Sequence, residues 1–433
     1  MNHQAPTGAS GSAPARPVTV LGPALYCLAG VQFTQIADFM VLMPLAPALM
    51  RNFGVGPAAI ATLVSSYTFA SAVAGLLAAL CIDRVNRRRA LLVLYSGFIV
   101  ATLACGVAPG YFVLLLARSA AGVFGGVLGS LAYTIVGEAV PESHRGRATG
   151  ILMSSFSLAT VAGVPIALLL SAEFGWHAPF LFLGALSCLV ALALARGLPD
   201  LPRPAQAPGA TTAWLRVRQA LADRDHQRAF IWMALMTSSA FLVIPFISIH
   251  LNTNVGVAEP QLPLLYLIGG AVTFLSARAI GVAADRFGKV RTYRVAALAS
   301  MVPLWLITHL PAVPLAAAIA SAALFFVLIS GRMVPAMALV TSSARPDLRG
   351  TFMSLNTTVQ AATQGLAALI GGLIVARSPE GRLLNFAWNG WAGVVMTAVA
   401  IVWAGRLRVR TTGAAERASA APLADLAAAD PAP

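Results

Sequence analysis

The sequence predicts an all-α membrane protein, with twelve transmembrane helices in two six-helix, pseudo-symmetric bundles. Three observations carry this expectation. Of 433 residues, 58% are hydrophobic and 10% are charged, against about 25% charged in soluble domains, and mean hydropathy is +0.80. Apolar stretches recur at close to the roughly 20 residues that a helix needs to cross a bilayer. A charged turn occurs twice between such stretches. The first copy, Gly75 to Leu92, holds Asp83-Arg84 and Arg87-Arg88-Arg89; the second, Gly281 to Arg291, holds Asp285-Arg286, Gly288 and Lys289. Reuse of one turn about 200 residues later implies two related halves.

Residues 1–17 are rich in Gly, Ser, Ala and Pro and read as a disordered cytoplasmic tail. They lack the basic region and cleavage site of a removed signal peptide, so the first span reads as a retained anchor. The N-terminal bundle is placed at 18–197, with spans at 20–47, 58–82, 90–108, 111–138, 148–171 and 178–197. Span 1 holds Gln32, Gln35 and Asp38, then Pro44 and Pro47. Span 4 holds Arg118 and the run Gly122, Gly125, Gly126 and Gly129. Small residues at that spacing let helices approach closely. With no strand before it, the run is not a phosphate loop. A turn is expected from Pro141 to Arg147. Span 5 contains Gly163 and Pro165, and Trp176 beyond it fits an interfacial aromatic belt.

Residues 198–226 are first Pro-rich, then basic and amphipathic through Trp214, Arg216, Arg218 and Arg224. They read as a cytoplasmic linker with a helix on the membrane face. The C-terminal bundle, 227–407, repeats the plan with spans at 228–250, 262–284, 292–310, 313–342, 350–376 and 385–406. Its turn from Arg345 to Gly350 echoes Pro141 to Arg147. Residues 408–433 form an Ala/Pro-rich tail, also expected to be disordered and cytoplasmic.

The net charge of +14 would suit nucleic acid, but its placement argues for a membrane. Arg51, Arg377 and Arg382 fall in loops on one side, and Arg118, Arg278 and Arg332 fall within spans. The remaining basic residues gather on the other side, which the positive-inside rule makes cytoplasmic. Both termini are then cytoplasmic, in a bacterial inner membrane. Cys27, Cys81, Cys105 and Cys188 lie in or beside apolar stretches without C-x-x-C spacing, and read as small core residues. The histidines form no metal motif. No nucleophile–base pattern is present, so the chain does not read as an enzyme. It implies no cofactor and no metal, only a proton gradient.

The charged turn resembles the loop motif of the major facilitator superfamily, G-x-x-x-D-R-x-G-R-R. The copy at Gly281 to Lys289 matches well; the copy at Asp83 has Ala79 and Asn86 where glycines are usual. Asn tolerates the left-handed conformation that such a turn needs. The stretch Ile36 to Pro44, Arg118-x-x-x-Gly122 and the turn Phe174-Gly175-Trp176 resemble the drug:proton antiporter and sugar-efflux (arabinose-efflux-like) branch. The glycine motif of span 5 in that branch is reduced here to Gly150, Gly163 and Pro165, with Ala159 where Gly is common. The resemblance implies alternating access, by rocking of two halves about a midplane site.

An acidic residue within a span marks a functional site by default. Asp38 lies about 7.5 Å outward of the midpoint of span 1, and Arg118 the same distance outward in span 4. The two share a depth if spans 1 and 4 pack together, as the resemblance implies. Desolvation and an adjacent arginine pull a carboxyl toward opposite protonation states, which makes a proton switch. The alternative is a fixed ion pair that only orders the helices.

Glu138 lies near Arg84 and Arg87 in depth. With Asp83, Arg145, Asp285, Arg286, Gly288 and Arg349 it is a candidate cytoplasmic gate; a solvated helix end is the alternative. Arg332 is not the repeat mate of Arg118, because it stands 17 residues before its R-G turn rather than 27. Candidate substrate contacts are Gln32, Gln35, Tyr67, Met236, Arg332, Asn356, Gln360 and Gln364. The last three share one helical face by their spacing of four, and inter-helix hydrogen bonding is the alternative role. Phe33, Phe156, Trp232, Phe241 and Tyr266 suit an apolar lining, and suit lipid-facing or core positions as well.

The reading is a monomeric secondary transporter in a lipid bilayer, with a small-molecule substrate and no nucleic-acid partner. It exports small apolar or amphiphilic compounds in exchange for protons. The alternative is a sugar or amino-acid exporter or importer of the same fold. A channel or a non-transporting receptor fits the duplicated turns and the Asp38–Arg118 pair less well.

Overall fold

A computed structural model describes residues 21–81, 85–140, 142–199 and 213–407. Both tails, the Pro-rich part of the linker, and Asp83 and Arg84 lie outside the described residues. The N-terminal half runs α1 (Leu21–Val41), α2 (Ala46–Phe53), α3 (Pro57–Cys81), α4 (Arg87–Gly106), α5 (Tyr111–Ala139), α6 (Glu142–Leu158), α7 (Val164–Phe174) and α8 (Ala178–Gly197). A linker helix follows, α9 (Ala213–Ala222). The C-terminal half runs α10 (Arg224–Phe241), α11 (Ile247–His250), α12 (Leu262–Phe287), α13 (Lys289–His309), α14 (Leu315–Gly331), α15 (Met333–Ser343), α16 (Arg349–Ile374) and α17 (Phe386–Trp403).

Four spans are interrupted, and proline explains why. Pro has no N–H to donate and its ring obstructs the preceding turn. Span 1 breaks at residues 42–45 around Pro44 and resumes as α2, which runs on to Phe53. This corrects the expected end at residue 47 and puts Arg51 in a helical last turn rather than a loop. Span 5 relaxes into a π turn, Ala159–Gly163, just before Pro165. Span 7 breaks at the 3₁₀ turn Ile244–Phe246, which contains Pro245. Span 10 breaks between Gly331 and Met333, where Pro335 leaves a carbonyl without its helical donor.

Other boundaries also differ. Residues 142–147 open α6 instead of forming a turn, and residues 224–226 belong to α10 instead of the linker. A short hairpin, β1 (Ala376–Arg377) with β2 (Leu383–Leu384), stands between α16 and α17. Among the described residues ten helical passages are long and apolar enough to cross a membrane. The helices α13 and α16, of 21 and 26 residues, complete twelve. Their hydropathy is lowered by Lys289, Arg291 and Arg294 in one and by Asn356, Gln360 and Gln364 in the other.

The glycine run of span 4 packs as expected. A β-carbon at Gly122 would stand 2.2 Å from the Tyr67 carbonyl oxygen, and one at Gly126 would stand 2.2 Å from Ser71 Oγ. The glycines therefore let α3 lie against α5. The linker helix α9 docks through buried Val217 and Ala220. His226 fixes it there: Nδ1 bonds the Ala220 carbonyl at 3.1 Å, and Nε2 accepts the Arg345 N–H at 3.2 Å. Asp223 caps α10 by accepting from the N–H groups of Asp225 and His226.

Two tertiary features set up the site. At the end away from the linker both halves share one apolar core, which joins Val41, Leu49 and Leu114 to Phe246, Leu262 and Phe386. At the linker end each half has its own core, one around Tyr95, Leu128 and Leu194 and the other around Trp232, Tyr293 and Phe352. The halves are thus joined at the far end and separate toward the linker. The exceptions are α3 with α16, in contact from Ala61 opposite Gly372 down to Gly75 opposite Thr358, and α12 with the π turn of span 5, where a β-carbon at Gly270 would stand 2.7 Å from the Thr160 carbonyl oxygen. Trp176 belongs to the far-end core. It is 5% exposed and edge-on to Phe53 at 5.0 Å, not part of a lipid-facing belt. Cys188, read as a core residue, is exposed on α8.

Candidate substrate and coupling site

A cavity of about 450 Å³ lies between the halves. From α1 it takes Gln35, Ile36, Phe39 and Met40, a face generated by helical spacing, and from the break beyond α1 it takes Met43. Tyr67, Thr68 and Ser71 of α3 and Phe156 of α6 continue the N-terminal wall. The C-terminal wall comes from Met236, Thr237 and Phe241 of α10, Tyr266 of α12, Phe325 and Phe326 of α14, and Gln360 and Gln364 of α16. Arg332 contributes at the α14–α15 break. The wall is chiefly apolar and aromatic, with a few amides and hydroxyls to orient a ligand.

The sequence candidates divide at this wall. Gln35, Tyr67, Met236, Arg332, Gln360 and Gln364 line it. Gln32 does not; it is 4% exposed and faces Gly129 inside the N-terminal half. Asn356, one turn nearer the linker than Gln360, is fully buried outside the cavity, and its amide atoms have no partner among the described residues. Of the aromatic candidates, Phe156, Phe241 and Tyr266 line the cavity, while Trp232 is core, donating Nε1–H to the Ala400 carbonyl at 3.1 Å. Sequence reasoning missed Phe39, Phe326 and Thr102. Phe39 was detectable, since it stands four residues from Gln35.

Beside the cavity, Arg118 and Asp38 meet within the N-terminal half. Arg118 Nη1 donates to Asp38 Oδ2 at 2.8 Å and to the Asp38 carbonyl at 3.3 Å. Thr102 Oγ1 of α4 donates to Oδ1 at 3.4 Å. Both charged side chains are fully buried, and neither lines the cavity. Tyr67 lies between pair and cavity. Its ring centroid is 4.5 Å from the Arg118 guanidinium carbon, a cation–π distance. Its hydroxyl accepts from Gln35 Nε2 at 3.2 Å. Phe39 is 5.3 Å from Tyr67 and 6.1 Å from Phe241 of the other half. A continuous row of π contacts therefore joins Arg118 to the opposite wall.

The gate candidates are more dispersed. Arg87, 1% exposed at the start of α4, holds Glu138 at the end of α5 with bonds of 3.1 and 2.9 Å. Both residues belong to one half. Asp285, Arg286 and Arg349 are exposed, and Gly288 adopts φ of 88°, the conformation its place in the turn requires. The described Arg145 backbone opens α6. At the far end Arg51 of α2 pairs with Glu259 of the opposite half. Among the described residues no three His, Cys, Asp or Glu gather as a metal ion would need.

Two bundles of membrane-crossing helices around a closed-ended cavity define a membrane transporter rather than an enzyme. The chain belongs to the Major Facilitator Superfamily, whose family model matches residues 28–368. It is 26% identical over 372 residues to an uncharacterised MFS-type transporter of Bacillus subtilis (strain 168), covering 86% of this chain and 92% of that one. It is likewise 26% identical over 402 residues to a chloramphenicol resistance protein of Streptomyces lividans, covering 90% and 97%. Among solved structures it resembles a D-xylose–proton symporter, with a TM-score of 0.74, 16% identity, and 91% and 99% of the two chains covered.

Proposed function

We propose that this transporter is a proton-coupled exporter of small apolar or amphiphilic compounds. The observation that carries the reading is a buried Asp38–Arg118 pair standing one side chain, Tyr67, away from a largely apolar cavity. A substrate stacking on Phe39 and Tyr67 displaces the ring that Arg118 rests on. That changes how firmly Arg118 holds the Asp38 carboxylate, and so links substrate occupancy to a proton site. The resistance function in the name of the Streptomyces relative supports export of such compounds.

The far-end core and the Arg51–Glu259 pair join the halves on one side, which supports a state open toward the linker. Charge placement makes the linker side cytoplasmic, in a bacterial inner membrane with both termini inside. Loading from the cytoplasm is the geometry an exporter needs. Arg87–Glu138, with the charged turns at Asp83 and Asp285, then forms the cytoplasmic gate. The fold needs one chain, and the protein acts as a monomer.

The test is proton movement in proteoliposomes that carry a pH-sensitive dye inside. Chloramphenicol added to vesicles with an imposed pH gradient is expected to dissipate the gradient faster than in protein-free vesicles. No acceleration by chloramphenicol, or by a panel of apolar compounds of similar size, contradicts proton-coupled export.

A further inference from the structure

Arg332 is the one formally charged residue in the cavity wall among the described residues, and no carboxylate lines that wall. Its side chain is buried at 1% exposure. Nη1 donates to Thr397 Oγ1 at 3.1 Å and to Ser300 Oγ at 3.4 Å. Nη2 donates to Ser239 Oγ at 2.6 Å and to the Met236 carbonyl at 3.2 Å. Nε has no partner. All four acceptors are neutral, and no Asp or Glu among the described residues pairs with Arg332. The other deeply buried arginines among the described residues differ: Arg118 holds Asp38, and Arg87 holds Glu138.

An unpaired buried cation keeps much of its desolvation cost, which neutral acceptors offset only in part. A charge entering the adjacent cavity feels it through a medium less polarisable than water. A negative group is attracted there and a positive one repelled, and the wall has no acidic residue to reverse that field. Along the same cavity, Phe39, Phe241, Tyr266 and Phe326 offer flat apolar surface, and Gln35 and Gln360 offer neutral amides.

We propose that the cavity selects compounds bearing a negative charge on an aromatic or apolar body, with Arg332 supplying the attraction. An aryl carboxylate is the simplest member of this class. Lipophilic cations are rejected. This selection rests on the reading of the cavity as the transport site, and it names the polar end of the amphiphile. Arg332 also ties α10, α13 and α17 together through its hydrogen bonds, so the test must separate charge selection from helix packing.

Three ligands with one body and different heads make that separation: 4-phenylbutanoate, 4-phenylbutanamide and 4-phenylbutylammonium. Equilibrium binding is measured on the purified full chain in an uncharged detergent near neutral pH, without a gradient. The carboxylate is expected to bind about tenfold tighter than the amide, and the ammonium compound more weakly than either. Arg332→Lys keeps the charge and the order. Arg332→Gln brings carboxylate and amide to parity. Equal affinity for all three heads, absence of carboxylate binding, or preference for the ammonium head overturns the proposal. So does a carboxylate preference that survives in folded Arg332→Gln protein. If that variant does not fold, the head-group order in the wild type and in Arg332→Lys decides. Because no gradient is applied, failure here leaves proton-coupled export standing, and failure of coupled flux leaves charge selection standing.

Discussion

Arg118 Nη1 lies 2.8 Å from Asp38 Oδ2, with both side chains at zero exposure. Removing one member strands the other charge away from water. Arg118→Ala is expected to destabilise the protein by about 3–5 kcal/mol, read as loss of thermal stability in detergent. The double variant Asp38→Asn/Arg118→Gln leaves no net charge and is expected to recover most of that loss. A single variant as stable as the wild type would mean the site is wetter than its burial indicates.

The glycine run gives a second test. Gly122→Ala sets a methyl against the Tyr67 carbonyl and is expected to lower the yield of folded protein. Gly137→Ala and Gly150→Ala meet nothing within 4 Å and are expected to fold normally. The measurement is the monodisperse fraction in size-exclusion chromatography. Equal behaviour of all three would show that α3 and α5 are not in the close contact described.

Trp176 and Trp214 form a matched pair. Trp176 is buried against Phe53, whereas Trp214 on α9 is 66% exposed. Trp176→Ala is expected to cost about 3–5 kcal/mol, as for other buried aromatics, and Trp214→Ala far less. Similar losses of thermal stability for both would return Trp176 to the membrane interface.

The Arg51–Glu259 pair joins the halves across the closed end, with side chains 57% and 28% exposed. An exposed pair is worth at most about 1 kcal/mol, so its loss shifts an open–closed ratio by no more than about fivefold. Glu259→Gln is expected to lengthen the distance between spin labels at positions 52 and 260 in part of the population. The swap Arg51→Glu/Glu259→Arg is expected to restore the shorter distance. An unchanged distribution in Glu259→Gln would show that the apolar core alone holds this end closed.

How much the sequence revealed depended on how local each signal is. The two-bundle plan was legible because a charged turn such as Asp285-Arg286 recurs, and because hydrophobic length is a property of a single segment. The depths of Asp38 and Arg118 followed from helix rise, given that spans 1 and 4 pack together. Trp176 was misplaced because aromatic residues near a helix end look alike in sequence whether a neighbouring Phe53 covers them or lipid does. Gln32 and Gln35 are polar residues on the same side of α1, about one turn apart, yet only Gln35 reaches the cavity, while Gln32 packs against Gly129 of α5. Only the position of α5 decides which of them reaches the cavity. The helix breaks at Pro44, Pro245 and Arg332 were missed because proline marks a weak point without saying whether the helix bends or stops there.

The central claim is that Asp38 carries the exchanged proton, and the direct measurement is substrate efflux from proteoliposomes containing Asp38→Asn. Asparagine keeps the shape of the protonated acid and cannot release a proton. Uphill efflux driven by an imposed pH gradient is expected to vanish, while the folded fraction of this less stable variant keeps equilibrium substrate binding and downhill exchange. Gradient-driven efflux at the wild-type rate would contradict the account and move the proton to another group, with Glu138 the next to test.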